Sequence, residues 1–96
     1  MQFLVETSIV SDASQEVIDN GLEAELRQVR RLYGANVLRQ IWHREDRLGS
    51  VILVEAASVA EVVAHMDTLP LAQAGVVKVD VIIPLKPHAA MLVGTD

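Results

Sequence analysis

Cysteine is absent from the 96 residues, so the chain has no disulfide framework, no thiolate metal site and no cysteine nucleophile. Aromatic side chains are confined to Phe3, Tyr33 and Trp42, too few for a base-stacking platform or a cation–π cage. Basic residues form no run: eight Lys and Arg stand against 13 Asp and Glu, for a net charge of −5. That balance argues against nucleic acid and against an anionic membrane as partners. Long apolar runs are missing too. The opening MQFLVETSIV is too short and too interrupted by polar residues to span a bilayer, and it lacks the basic start of a signal peptide. The expected location is therefore cytoplasmic. Gly34, Gly49, Gly75 and Gly94 are isolated and form no phosphate loop. His43, His65 and His88 lack metal-ligand spacing, so no metal is expected. Ser8, Ser50 and Ser58 sit in no strand–serine–helix elbow, which leaves a nucleophilic triad unsupported.

What the chain does have is apolar side chains: 51% of residues are hydrophobic. A domain this small buries only about 60–65% of the surface its unfolded chain exposes. The apolar excess points to burial between subunits. The length fits a single domain over residues 1–96, with 85–96 as a tail after Pro84. Residues 2–10 read as a strand. Asp12, Ser14 and Gln15 offer cap chemistry for a helix running to about Tyr33, with Gly34 suited to a left-handed C′ position. Residues 37–44 and 50–56 read as two strands joined by the polar turn Glu45–Gly49. Ser58 and Glu61 form a capping box ahead of a second helix, which Pro70 is expected to end. Residues 76–83 make the last strand.

The order β-α-β-β-α-β predicts an α+β, ferredoxin-like fold, with an antiparallel four-stranded sheet and two helices on one face. The strands, however, are apolar on both faces. Val51 to Val54 and Val76 to Ile82 place branched residues above and below the sheet. A strand apolar on both faces should be buried on both. No element remains to cover the second face, so a second copy is expected there. Two sheets packed face to face make a dimeric α/β barrel.

Glu25 is the most informative residue. On the first helix Ile18, Leu22, Val29 and Leu32 follow helical spacing, and Glu25 falls inside that apolar arc. A carboxylate held against apolar surface has a raised pKa and can act as a general base or acid near neutrality. The alternative is that Glu25 snorkels to water at the edge of the stripe or pairs with an arginine. Arg39 and Trp42 lie on the second strand. Arg39 is suited to a bidentate contact with a carboxylate ligand, or to a cross-strand salt bridge. Trp42 is suited to walling a pocket, or to packing in a core or interface. Asp80, in an otherwise apolar strand, reads as an ion-pair partner of Lys78 or Arg39, or as a pocket residue.

These residues carry a resemblance. The stretch LYGANVLRQIWHREDRLGSVILVE, around Arg39 and Trp42, resembles the second-strand hairpin of the muconolactone Δ-isomerase family. SVAEVVAHMDTLPLAQAGVVKVDV resembles that family's S-V, L-P-L and final-strand Asp signature through Ser58, Val59, Leu69, Pro70, Leu71, Val79 and Asp80. The likeness covers roughly residues 1–84. It implies a dimeric α/β barrel, often assembled into a ring-like decamer. It also implies cofactor-free isomerisation of an unsaturated lactone by proton transfer, with Glu25 at the position of the family's acidic base. The sequence departs from the family pattern at Leu38, Gln40, Arg47, Leu48 and Val51, which implies a less aromatic pocket.

The expected function is thus proton-transfer isomerisation of a small unsaturated lactone or related carboxylated ring compound in aromatic catabolism. Glu25 serves as base, Arg39 anchors a carboxylate and Trp42 shapes the pocket. No cofactor is expected. The expected partners are a second copy and a small-molecule substrate. Two alternatives stand beside it. One is a non-catalytic ligand-binding or assembly module. The other is a cofactor-free monooxygenase or cyclase-like auxiliary enzyme of an aromatic or polyketide pathway.

Overall fold

A computed structural model describes residues 1–92. Four strands, β1 (Gln2–Ile9), β2 (Leu38–His43), β3 (Ser50–Glu55) and β4 (Val77–Pro84), form one antiparallel sheet in the order β2-β3-β1-β4. Three helices join them: α1 (Gln15–Gly34), α2 (Val59–Met66) and the single turn α3 (Pro70–Gln73). The architecture is the α+β, ferredoxin-like one expected, with one helical turn more than the sequence reading. Among the described residues no helix is long and apolar enough to cross a membrane.

The core lies between the sheet and the helices. Period-2 alternation turns Phe3, Val5 and Thr7 of β1 inward, beside Ile52 and Val54 of β3. Leu32, Val62, Met66 and Leu69 close over them. The opposite sheet face is open in the single chain. Register places Leu4, Leu53 and Ile83 in one row and Val51, Val81 and Glu6 in the next, with Trp42 paired to Val51. Trp42, Val81 and Ile83 are all substantially exposed. Val79, by contrast, packs against the core, so Val51 is the one of the two valines that faces away from the helices.

Local chemistry sets the helix ends. Ser58 accepts the Glu61 amide at 3.2 Å, which is the capping bond expected for α2. Ser14 is the N-cap of α1 but makes no side-chain cap bond. The left-handed residue that ends α1 is Asn36, at φ 62°, rather than Gly34. Val37 donates to the Leu32 carbonyl and Asn36 to that of Tyr33, the pairing of a Schellman motif with asparagine at C′. Pro70 was expected to end the second helix. Instead α2 stops at Met66 and Pro70 opens α3, where a fixed φ and a missing N–H suit the first helical position. The β2–β3 turn closes on Gly49, at φ 141°. A Cβ there would stand 2.1 Å from the Thr7 carbonyl oxygen, so only glycine fits. Of the expected tail, Ala89–Met91 forms a 3₁₀ turn, while 93–96, including Gly94, fall outside the described residues.

Candidate active site

Between α1 and the sheet lies a cleft of about 490 Å³. Helix α1 contributes Ile18, Leu22, Leu26 and Val29 to it, the same stripe that the helical spacing marks. The sheet side contributes Ile9, Ile41 and Val77, with Leu71 of α3 at one end and Leu48 of the β2–β3 turn at another. Its walls are therefore mostly aliphatic.

Glu25 enters this apolar setting from α1. Its Oε1 accepts the Leu71 backbone N–H at 3.0 Å. The donor exists because of the turn at α3: the first amides of a helix have no partner inside it. Gly21, one turn earlier on α1, permits the approach, since a Cβ there would stand 2.7 Å from Leu71 Cδ2. Burial pushes the Glu25 carboxyl above its ordinary value of 4.5, and the Leu71 bond pulls part of the way back. Among the described residues Glu25 makes no ion pair, so the arginine pairing weighed for it is not formed.

Trp42 borders the same cleft, although it is 49% exposed and belongs by pairing to the open face. Arg39 does not border it. The β2–β3 register slips between Leu38 and Gln40, so Arg39 is the extra residue of a β-bulge and is exposed. Among the described residues it has no ion-pair partner, and Asp80 pairs instead with Arg47 at 3.8 Å and Lys78 at 3.9 Å. The structure thus brings Glu25 and Trp42 to one cleft and leaves Arg39 outside it.

Four further polar groups border the cleft, of which the sequence reading named His43 and Ser50 only to set them aside as metal ligand and nucleophile. His43 and Arg44 line the mouth at the end of β2. Arg44 is held by Asp46 through two bonds, 2.9 and 2.7 Å, and by Glu6 at 3.2 Å. The Arg44 bonds hold the Asp46 carboxyl below its ordinary value. Thr7 and Ser50 stand on the sheet side with their hydroxyl oxygens 2.7 Å apart. Thr7 did leave a signal: it is the polar member of the inward row begun by Phe3 and Val5.

Chemically, the arrangement offers one carboxylate of raised proton affinity in an aliphatic cleft, with hydroxyl groups across from it. Such a cleft suits moving a proton on a small, largely apolar compound.

Residues 1–91 match the profile of the muconolactone delta-isomerase family. Among solved structures, the fold is similar to that of 5-chloro-2-hydroxyhydroquinone dehydrochlorinase (TftG) from Burkholderia phenoliruptrix AC1100, in complex with 2,5-dihydroxybenzoquinone. The two share 20% sequence identity at a TM-score of 0.74, over 94% of this chain and 98% of that one. At that identity the likeness speaks for the fold alone. No match is found among curated proteins.

Proposed function

The chain belongs to the muconolactone delta-isomerase family, and on that premise we propose that it is a cofactor-free enzyme of aromatic catabolism. It shifts a proton within a small unsaturated lactone or a related carboxylated ring compound, with Glu25 as the base. The observation that carries this reading is the Glu25 carboxylate, in an aliphatic cleft, with burial raising its proton affinity. A 1,3-proton shift asks one group to remove a proton from one end of an allylic unit conjugated to a carbonyl and return it at the other end, two carbons away. A carboxylate with a raised pKa, oriented by a backbone amide, fits both halves of that task. Trp42 shapes one end of the cleft. Arg39, outside the cleft of its own chain, would anchor a substrate carboxylate only from a neighbouring copy.

The reading includes a homodimer. A second copy covers the open sheet face, so that Leu4, Val51, Leu53, Val81 and Ile83 become the interior of a dimeric α/β barrel. The support is that this face is apolar apart from Glu6 and that no described element lies over it.

A second reaction is compatible with the same base. The similar structure is that of a dehydrochlorinase, and loss of HCl from a hydroxylated ring also needs a group that accepts a proton as chloride leaves. The test begins with muconolactone in deuterated water, followed by NMR. Deuterium should enter at the carbons that lose and gain the proton. Glu25→Gln should slow that exchange by on the order of 10² or more. Exchange at an unchanged rate in the variant would remove Glu25 as the base.

A further inference from the structure

The hydroxyl pair on the sheet side of the cleft has a defined direction. Thr7 is 2% exposed. Its Oγ1 accepts the Ser50 backbone N–H at 3.0 Å and lies 2.7 Å from Ser50 Oγ. Both residues border the cleft. A hydroxyl carries one hydrogen, and a buried O–H without an acceptor is costly. Among the described residues, Ser50 Oγ is the acceptor within reach of the Thr7 hydroxyl, so Thr7 donates to Ser50. The hydrogen of Ser50 then has no acceptor among the described residues. Ser50 is only partly buried and borders the cleft, so that hydrogen is free to meet a group placed there. The chain runs from the Ser50 amide to the Thr7 hydroxyl, on to the Ser50 hydroxyl, and out into the cleft. Each donor in it polarises the next.

We propose that the Ser50 hydroxyl, oriented by Thr7, is the donor that holds an anionic oxygen, the enolate or phenolate oxygen of a small unsaturated ring, across the cleft from Glu25. The proposal rests on the reading of this cleft as a proton-transfer site and names the group that receives the displaced charge. When Glu25 takes the proton from the allylic carbon of an unsaturated lactone, the C–H electron pair forms a new C=C bond, the existing C=C pair shifts toward the carbonyl carbon, and the carbonyl π pair moves onto oxygen. Glu25 then holds the proton, and the negative charge rests on that oxygen. Return of the proton to the carbon beside the carbonyl restores the C=O bond and leaves the C=C bond moved one place along. A donor already aimed at the oxygen stabilises the enolate more than the neutral carbonyl, and that difference lowers the barrier. Ile9, Ile41 and Val77 line the same cleft, with His43, the cross-strand partner of Ser50, and Arg44 at its mouth. Ser50 is the catalytic residue of the pair and Thr7 a positioning residue.

The test uses 4-nitrophenol, whose phenolate form absorbs visible light, as an enolate-like probe. Binding is measured to Glu25→Gln protein, so that no carboxylate charge repels the phenolate. This protein should bind phenolate in preference to the neutral phenol. Adding Ser50→Ala should cut that preference roughly ten- to a hundredfold, the size of one hydrogen bond to a charged oxygen. Thr7→Val should cut it less, and Thr7→Ser should restore it. A purely structural Thr7 would lower the melting temperature without changing the ratio of the two affinities. Equal affinity for the two forms, no binding of either, or a preference untouched by Ser50→Ala would overturn the proposal. The probe needs no turnover, so the two readings can fail separately. A Ser50-dependent preference without lactone exchange would leave the oxyanion donor standing and remove the isomerase substrate. Glu25-dependent exchange that ignores Ser50→Ala would do the reverse.

Discussion

Glu25 on α1 and Leu71 on α3 are joined by a 3.0 Å bond from backbone amide to carboxylate, across 46 positions of sequence. The bond has two effects of opposite sense. It fixes where the carboxylate points, and it favours the charged form that burial disfavours. The balance leaves the proton affinity raised. A base oriented without an ion pair keeps more of its basicity than one held by arginine, whose charge would lower its pKa further.

That balance predicts a pH profile. Glu25 acts as a base only when ionised, so lactone proton exchange should rise with pH through its folded-state pKa. The acid limb should lie above pH 4.5, the ordinary value for this carboxyl. A limb centred at or below that value would show that another group controls the rate.

Gly49 gives a prediction about stability. A Cβ at this residue would meet the Thr7 carbonyl oxygen at 2.1 Å, and φ 141° is unfavourable for any L side chain. Both penalties act on backbone, which cannot rotate away. Gly49→Ala should cost more than about 2 kcal/mol in a denaturant melt. It should also disturb Ser50, the next residue, and so weaken phenolate binding. A loss below about 0.5 kcal/mol, the size of an ordinary surface change, would mean that the turn relaxes easily.

Val51 tests the open face. In the single chain it is only partly buried, so aspartate there leaves the core of the protomer intact. In a barrel made of two sheets the same charge would lie buried without a partner. Light scattering should give the wild type a mass at least twice 10.5 kDa. Val51→Asp should give a folded monomer by circular dichroism. A wild type that is already monomeric at micromolar concentration would sink the barrel.

How far the sequence could be read follows from the range of each interaction. The Ser58 cap was legible because its partner is three residues away. Glu25 was legible because helical spacing alone places it in the apolar stripe. Its donor was not, since Leu71 arrives only through the packing of α3 on α1. Arg39 shows the limit for strands. Period-2 alternation assigns faces only while the register holds, and the bulge beside Arg39 breaks it. Ser50 acquires a role from its pairing with Thr7, 43 residues away, which no local pattern reveals. The shift of the left-handed residue from Gly34 to Asn36 is a smaller lesson. Asparagine tolerates αL well enough for the helix to run one residue longer.

Glu25→Gln makes a last prediction that needs no substrate. Glutamine keeps the shape and an oxygen to accept the Leu71 amide, but it removes the titratable proton. In the wild type the folded-state pKa lies above the unfolded one. Between those two values the folded protein therefore binds more protons than the unfolded chain, and stability falls as pH rises. Below the ordinary value of 4.5 both states are protonated and the penalty is absent. Above the raised pKa the penalty is fully expressed and constant. The melting temperature of Glu25→Gln relative to wild type should thus climb as pH rises through this window and then level off. At neutral pH the variant should be as stable as the wild type or slightly more so. A carboxylate held by a structural ion pair would behave in the opposite way, because its pKa would be depressed and its loss would strand a cation. A variant that melts well below wild type at neutral pH, with the gap closing as pH falls, would therefore mark Glu25 as a structural charge and take the base out of the proposed reaction.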